Sequence, residues 1–98
     1  MVRYTITISA AAERDIRTAY CWYDAKKEEL GQNFKAQLTN AIDRLEQSPL
    51  HFQIRYANIR ICFLKRFPFG IHYQVSDQAV LILGVYHTHQ DSSGWRLP

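Results

Sequence analysis

Residues 58–73 read NIRICFLKRFPFGIHY, and the fold hangs on how they are parsed. Ile59, Ile61 and Phe63 alternate with Arg60, Cys62 and Leu64, the two-residue period of a strand with one buried face. Pro68 lacks the N–H a central ladder needs, and Gly70 tolerates angles other residues avoid. Phe67-Pro68-Phe69-Gly70 therefore marks a chain reversal. Ile71, Tyr73 and Val75 restart the alternation against His72, Gln74 and Ser76. The reading is strand, tight turn, strand, with Lys65 and Arg66 set beside two phenylalanines at the turn.

The N-terminal side supplies the other layer. Val2, Tyr4, Ile6 and Ile8 alternate with Arg3, Thr5 and Thr7 as a half-buried strand. Ser9 is a good helix N-cap, and Glu13 and Asp15 follow near the positive helix end. Ala12, Ile16, Ala19, Tyr20 and Tyr23 form a helical stripe, with Trp22 off its centre. Gly31 is expected to end that helix or make a tight corner. Phe34, Leu38, Ala41, Ile42 and Leu45 line a second helix, which Ser48-Pro49 stops. So short a connection predicts an antiparallel helical hairpin.

Residues 49–57 read as a loop, Ser76-Asp77-Gln78 as a second turn, and Val80–Val85 as a strand covered on both faces. Gly84 within it suggests a bulge or a close backbone approach. The expected architecture is one α+β domain over residues 1–98 in the order β-α-α-β-β-β, a helical hairpin on a small, mostly antiparallel sheet.

At 98 residues, 47% hydrophobic and 21% charged, the chain has the composition of a soluble globular domain large enough to fold without staples. No run approaches the roughly 20 apolar residues of a membrane span, and the early alternation does not suit a signal peptide. Cys21 and Cys62 are expected to be buried thiols in a reducing cytoplasm. The net charge of +3 is unevenly spread. No acid occurs from Gln47 through Ser76, a span that holds Arg55, Arg60, Lys65 and Arg66 with His51 and His72. Seven of the nine acids fall between Glu13 and Glu46, so the acid-free half points to an anionic partner.

The ordered set of motifs resembles the RelE/ParE superfamily of bacterial toxins, the ParE branch in particular. The likeness runs through Ser9-Ala10, Ala12-Glu13-Arg14-Asp15-Ile16, Leu30-Gly31, Phe34 and Ser48-Pro49. It is most specific at Asn58-Ile59-Arg60, at Lys65 through Ile71 and at Tyr73, and it closes on His87-Thr88, Asp91 and Trp95. The resemblance implies the toxin of a type II toxin–antitoxin pair, of plasmid-stabilising kind, cytoplasmic and neutralised by a cognate antitoxin in a hetero-oligomer. ParE-like toxins act on DNA gyrase; RelE-like relatives cut mRNA on the ribosome. Where the family has arginines after His-Thr, this chain has His89 and Gln90.

Two readings of the site follow, beside a third, motivated by the missing arginines, of a non-toxic homologue that kept only the antitoxin interface. Metal-independent RNA cleavage needs a base, a cation for the phosphate and an acid for the leaving oxygen. Arg60, Lys65 and Arg66 are the candidate cations. His72, His87 and His89 are the candidate acid–base groups, and Tyr73 a candidate for stacking or proton donation. With no carboxylate in the basic half before Asp77, a histidine must supply the base. A gyrase poison asks only for a binding surface, for which Lys65, Arg66, Phe69, His87, His89 and Trp95 are the candidates, and this reading is preferred. Trp22 and Tyr23 on the hairpin flank are the candidates for receiving an amphipathic antitoxin helix, a separate surface. His87-x-His89 with Asp91 falls short of a zinc set, and neither metal nor cofactor is expected.

Overall fold

A computed structural model describes residues 3–88 of the chain. Strand β1 (Thr5–Ile8) leads into helices α1 (Ala10–Lys26) and α2 (Glu28–Gln47). A single 3-10 turn (Pro49–His51) follows, then strands β2 (Ile54–Tyr56), β3 (Ile59–Phe63), β4 (Phe69–Ser76) and β5 (Ala79–His87). The strands form one sheet in the order β1-β5-β4-β3-β2, antiparallel except where β1 runs parallel to β5. The α+β class and the helical hairpin agree with the reading above. The short β2 is an addition within the segment expected to be a loop. Its Ile54-Arg55-Tyr56 joins β3 through a tight turn in which Ala57 (φ 41°) and Asn58 (φ 65°) take the left-handed angles that suit a hairpin.

The helices cover one face of the sheet. Ala12 and Ala19 from α1 and Phe34, Leu38, Ala41 and Leu45 from α2 meet Cys62, Leu64, Ile71, Tyr73, Val80, Ile82 and Val85 in the main core. Each fully buried large side chain in such a cluster contributes on the order of 2 kcal/mol. The N-cap is made as expected: Ser9 Oγ accepts from the Ala12 N–H at 3.0 Å. The helix break falls at Lys27 instead of Gly31. Gly31 lies buried inside α2, where a Cβ would come within 3.0–3.1 Å of Asp24 and Tyr20. It serves close packing of the two helices, not chain reversal.

The alternation in β3 has a different meaning from that of a strand with one buried face. Cys62 and Leu64 face the helices, while Ile59 and Ile61 are equally buried on the other side. Cross-strand pairing puts Ile61 beside His72 and Phe63 beside Gly70 on that outer face. Phe63 is 44% exposed. Gly70 sits in β4, with a negative φ; its lack of a Cβ leaves room for Ile61, whose Cγ2 would be 2.8 Å away. The left-handed residue of the basic turn is Arg66, at φ 70°. Cys62 is buried as expected, whereas Cys21 is exposed on α1, and both are free thiols.

Near Gly84 the register shifts: Tyr73 pairs with Ile82 but His72 with Gly84, so Leu83 is the extra residue of a bulge. The first turns of α1 take up the backbone groups this opens beyond the end of β1. Ser9 N–H donates to Ile82 O (2.9 Å), Ser9 Oγ to Leu83 O (3.2 Å), and Val85 N–H to Asp15 Oδ2 (3.0 Å). These bonds fix α1 against the second half of β5. No helix among the described residues is long and apolar enough to cross a membrane.

Candidate functional site

The basic turn, the end of β5 and the flank of α1 meet at one end of the molecule. Leu64 N–H donates to Phe69 O (2.9 Å) and Phe69 N–H to Phe67 O (2.8 Å), which tightens the turn around Pro68. Thr88 N–H donates to Pro68 O (2.7 Å), tying the end of β5 to it. Beneath the turn lies an aromatic cluster. Phe67 meets Tyr23 (4.9 Å) and Phe34 (5.6 Å) edge-on, and Phe69 meets Phe34 (5.6 Å) and His87 (5.3 Å) in the same way. Tyr23 stacks on Phe34 and carries Trp22 at its edge (5.0 Å). Such offset and edge contacts match ring faces to ring edges electrostatically.

Between α1 and β5 this cluster opens into a groove of about 400 Å³. Asp15, Ala19, Trp22, Tyr23, Phe69 and His87 are among its lining residues. Trp22 is 57% exposed on its lip, with Lys26 Nζ 4.8 Å from the indole ring. Sequence reasoning assigned Trp22 and Tyr23 to one surface and Phe69 and His87 to another. The structure brings all four into one groove. The α1–β5 hydrogen bonds that accomplish this have no sequence signature, because they join residues 70 or more positions apart. Lys65 and Arg66 stand exposed on the turn at the same end. His89 and Trp95 lie outside the described residues.

The other candidates are used within the fold. Tyr73 is fully buried among the helix-facing residues, and its hydroxyl donates to Pro49 O. Burial pushes that hydroxyl well above the usual phenol range. Tyr73, a candidate in the nuclease reading for stacking or proton donation, is thus turned into the core, away from solvent. Arg60 Nη1 donates to Phe52 O at 2.6 Å, which directs it to the loop before β2.

His72 is also buried, on the outer face, with Nδ1 hydrogen-bonded to the Tyr56 hydroxyl at 2.8 Å and its ring 4.6 Å from Tyr86. Desolvation lowers its pKa to about 4, so the imidazole is neutral at physiological pH. The Tyr56 hydroxyl is raised, by burial first and by Tyr86 second. Buried neutral His72 does not have the solvent access a general base needs. The described residues hold no group of three or more metal-binding side chains.

A family model for the ParE toxin of type II toxin–antitoxin systems, parDE, matches residues 6–92. This chain belongs to the ParE toxin family. Among solved structures, the chromosomal ParDE toxin–antitoxin system from P. aeruginosa aligns with a TM-score of 0.76 at 17% identity. That alignment covers 89% of this chain and 98% of the other. The RelBE2 toxin–antitoxin complex from Mycobacterium tuberculosis aligns with a TM-score of 0.59 at 24% identity, covering 88% and 99%. At these identities the structural likenesses speak for the fold, a RelE/ParE-like α+β arrangement. No curated protein matches closely enough to count as a relative. Within this ParE-family chain, the residues matching the family run from β1 past the basic turn to the end of β5, so the groove lies wholly inside the matched span.

Proposed function

We propose that this ParE-family chain is a toxin that inhibits DNA gyrase by binding and is neutralised by a cognate antitoxin. The single observation that carries the reading is the shared groove: Trp22 and Tyr23 line it together with Phe69 and His87, beside exposed Lys65 and Arg66. An amphipathic antitoxin segment seated on Trp22 and Tyr23 covers Phe69 and His87, so inhibitor and target compete for one surface. The target contacts on the described residues are Lys65, Arg66, Phe69 and His87; His89 and Trp95, the remaining candidates, lie outside those residues. Both structural neighbours are described as toxin–antitoxin systems, which supports an antitoxin as the partner class here.

Binding is favoured over ribosome-dependent mRNA cleavage by how the candidate catalytic groups are employed. Tyr73 and His72 are buried, and Arg60 is held by a backbone carbonyl, which leaves His87 as the described histidine near the turn. The test is gyrase supercoiling with the purified chain. Inhibition is expected, relieved by the antitoxin and weakened by Arg66→Ala with the fold intact. Full supercoiling at stoichiometric excess of the chain removes gyrase as the target. Codon-phased mRNA ends on translating ribosomes, lost in His87→Ala, install the cleavage reading in its place.

A further inference from the structure

On the far side of the basic turn from the groove, the fold assembles a second surface. Phe63, the last residue of β3, is 44% exposed on the outer face of the sheet. Arg55 from β2 places its guanidinium 5.8 Å from the Phe63 ring centre. Arg44 from α2 reaches round the edge of the sheet, where its Nη2 donates to Phe63 O at 3.3 Å and its guanidinium lies 5.9 Å from the Phe52 ring. Lys65 and Arg66 follow directly, both exposed. One exposed aromatic ring thus has a guanidinium against it, a second guanidinium on its own backbone carbonyl and two further cations two and three residues on in the chain. Among the described residues, none of the four has a carboxylate within ion-pair distance. Arg66 also keeps φ 70°, a backbone that favours glycine, so a cation stands where the fold itself would be better served without a side chain.

We infer that Phe63 with Arg44, Arg55, Lys65 and Arg66 forms a docking surface for single-stranded nucleic acid. Guanidinium and ammonium groups with no carboxylate partner bind phosphates, and an exposed ring beside a planar guanidinium offers a base a stacking platform. A duplex keeps its base faces stacked, so it leaves Phe63 without a partner. An acidic peptide satisfies the cations but has no use for the flat ring. The surface lies outside the groove, shares Lys65 and Arg66 with the proposed gyrase contacts, and stands whether or not gyrase is the target.

The test is fluorescence anisotropy of the purified chain with labelled oligo(dT) of about twenty nucleotides, long enough to span one such site. Gyrase is absent, so failure here and failure of the gyrase reading are told apart. Binding is expected at low salt. Phe63→Ala is expected to weaken it about tenfold, the loss of one base–aromatic stack. Arg55→Ala should lower the slope of log affinity against log salt by about 0.7, one phosphate contact to a single strand. Phe63→Leu, which keeps the apolar volume, is expected to weaken binding as Phe63→Ala does, and it carries the test if the alanine variant loses its circular dichroism spectrum. Oligo(U) should bind with similar affinity, because neither contact reads the sugar. No binding to oligo(dT), binding indifferent to both Phe63 variants, binding of oligo(U) alone, or equal competition by polyglutamate would each overturn the inference.

Discussion

The two flanks of the basic turn make an instructive pair. On one flank, Phe67 and Phe69 pack against Tyr23, Phe34 and His87, and Phe69 lines an apolar groove between α1 and β5. On the other, Arg44 and Arg55 converge on Phe63 at the β3 edge. The turn from Leu64 to Pro68, with Phe69 at the start of β4, separates the two and serves both: the phenylalanines are drawn to the aromatic cluster, and Lys65 and Arg66 are left in solvent. Two adjacent cations followed by two rings thus yield two surfaces of opposite chemistry. The apolar flank suits a protein segment and the cationic flank a polyanion. A single substitution on either flank should damage one surface and spare the other, whereas one at the shared cations of the turn should touch both, and that separation can be tested.

The largest effect expected is at Trp22. Trp22→Ala should weaken antitoxin binding by about 2–4 kcal/mol, measured by titration calorimetry, because a tryptophan on the lip of a groove is the usual anchor of such an interface. Oligo(dT) binding should be unchanged. If antitoxin binding survives intact while Arg55→Ala abolishes it, the flanks have been assigned the wrong way round.

Next in size is an acid sensitivity set by His72, behind the cationic flank. Its folded pKa of about 4 lies below the ordinary value of 6.5, so between those pH values the unfolded chain binds the extra proton. Stability on this account is full above about pH 6.5 and falls as the pH drops toward 4. The loss is on the order of 3 kcal/mol, at about 1.4 kcal/mol per tenfold change in the proton equilibrium. Urea titrations at pH 7 and pH 4.5 should show it, and His72→Gln should flatten the difference. An unchanged pH dependence in that variant would mean that the outer face is not sealed around the imidazole.

Ser9→Ala should cost about 1–2 kcal/mol in thermal or urea unfolding, the value of an N-cap, since the same hydroxyl also closes the bulge at Leu83 O. The loss should loosen the groove side and leave oligo(dT) affinity alone. Smallest of all, Arg66→Gly should raise stability by about 1 kcal/mol or less, because glycine relieves the left-handed backbone. Supercoiling inhibition and oligo(dT) binding should both weaken in that same variant. A protein made more stable yet less active would show that Arg66 is kept for its charge.

Much of the fold was legible because it is periodic. The stripes of α1 and α2, the alternation of β1 and the Ser9 cap each state their structure within a few residues. Gly31 misled because a glycine near a helix end signals termination, whereas here it answers to Tyr20 and Asp24 of the neighbouring helix. The strand β2 was missed because three residues, Ile54-Arg55-Tyr56, are too few to display a period and owe their extension to β3. Tyr73 and His72 were candidates for chemistry by residue type alone. Their burial on opposite faces of β4 depends on what covers each face.

The sequence by itself determined the helical hairpin, the strand pattern, the cationic turn and the acid-free half, since local periodicity, capping and charge order need no tertiary partner. Only the tertiary structure decided that Trp22 shares a groove with His87 and that Arg44 and Arg55 close on Phe63. Those meetings follow from strand order and from a bulge whose open backbone groups α1 must satisfy, and both are set by contacts across most of the chain's length.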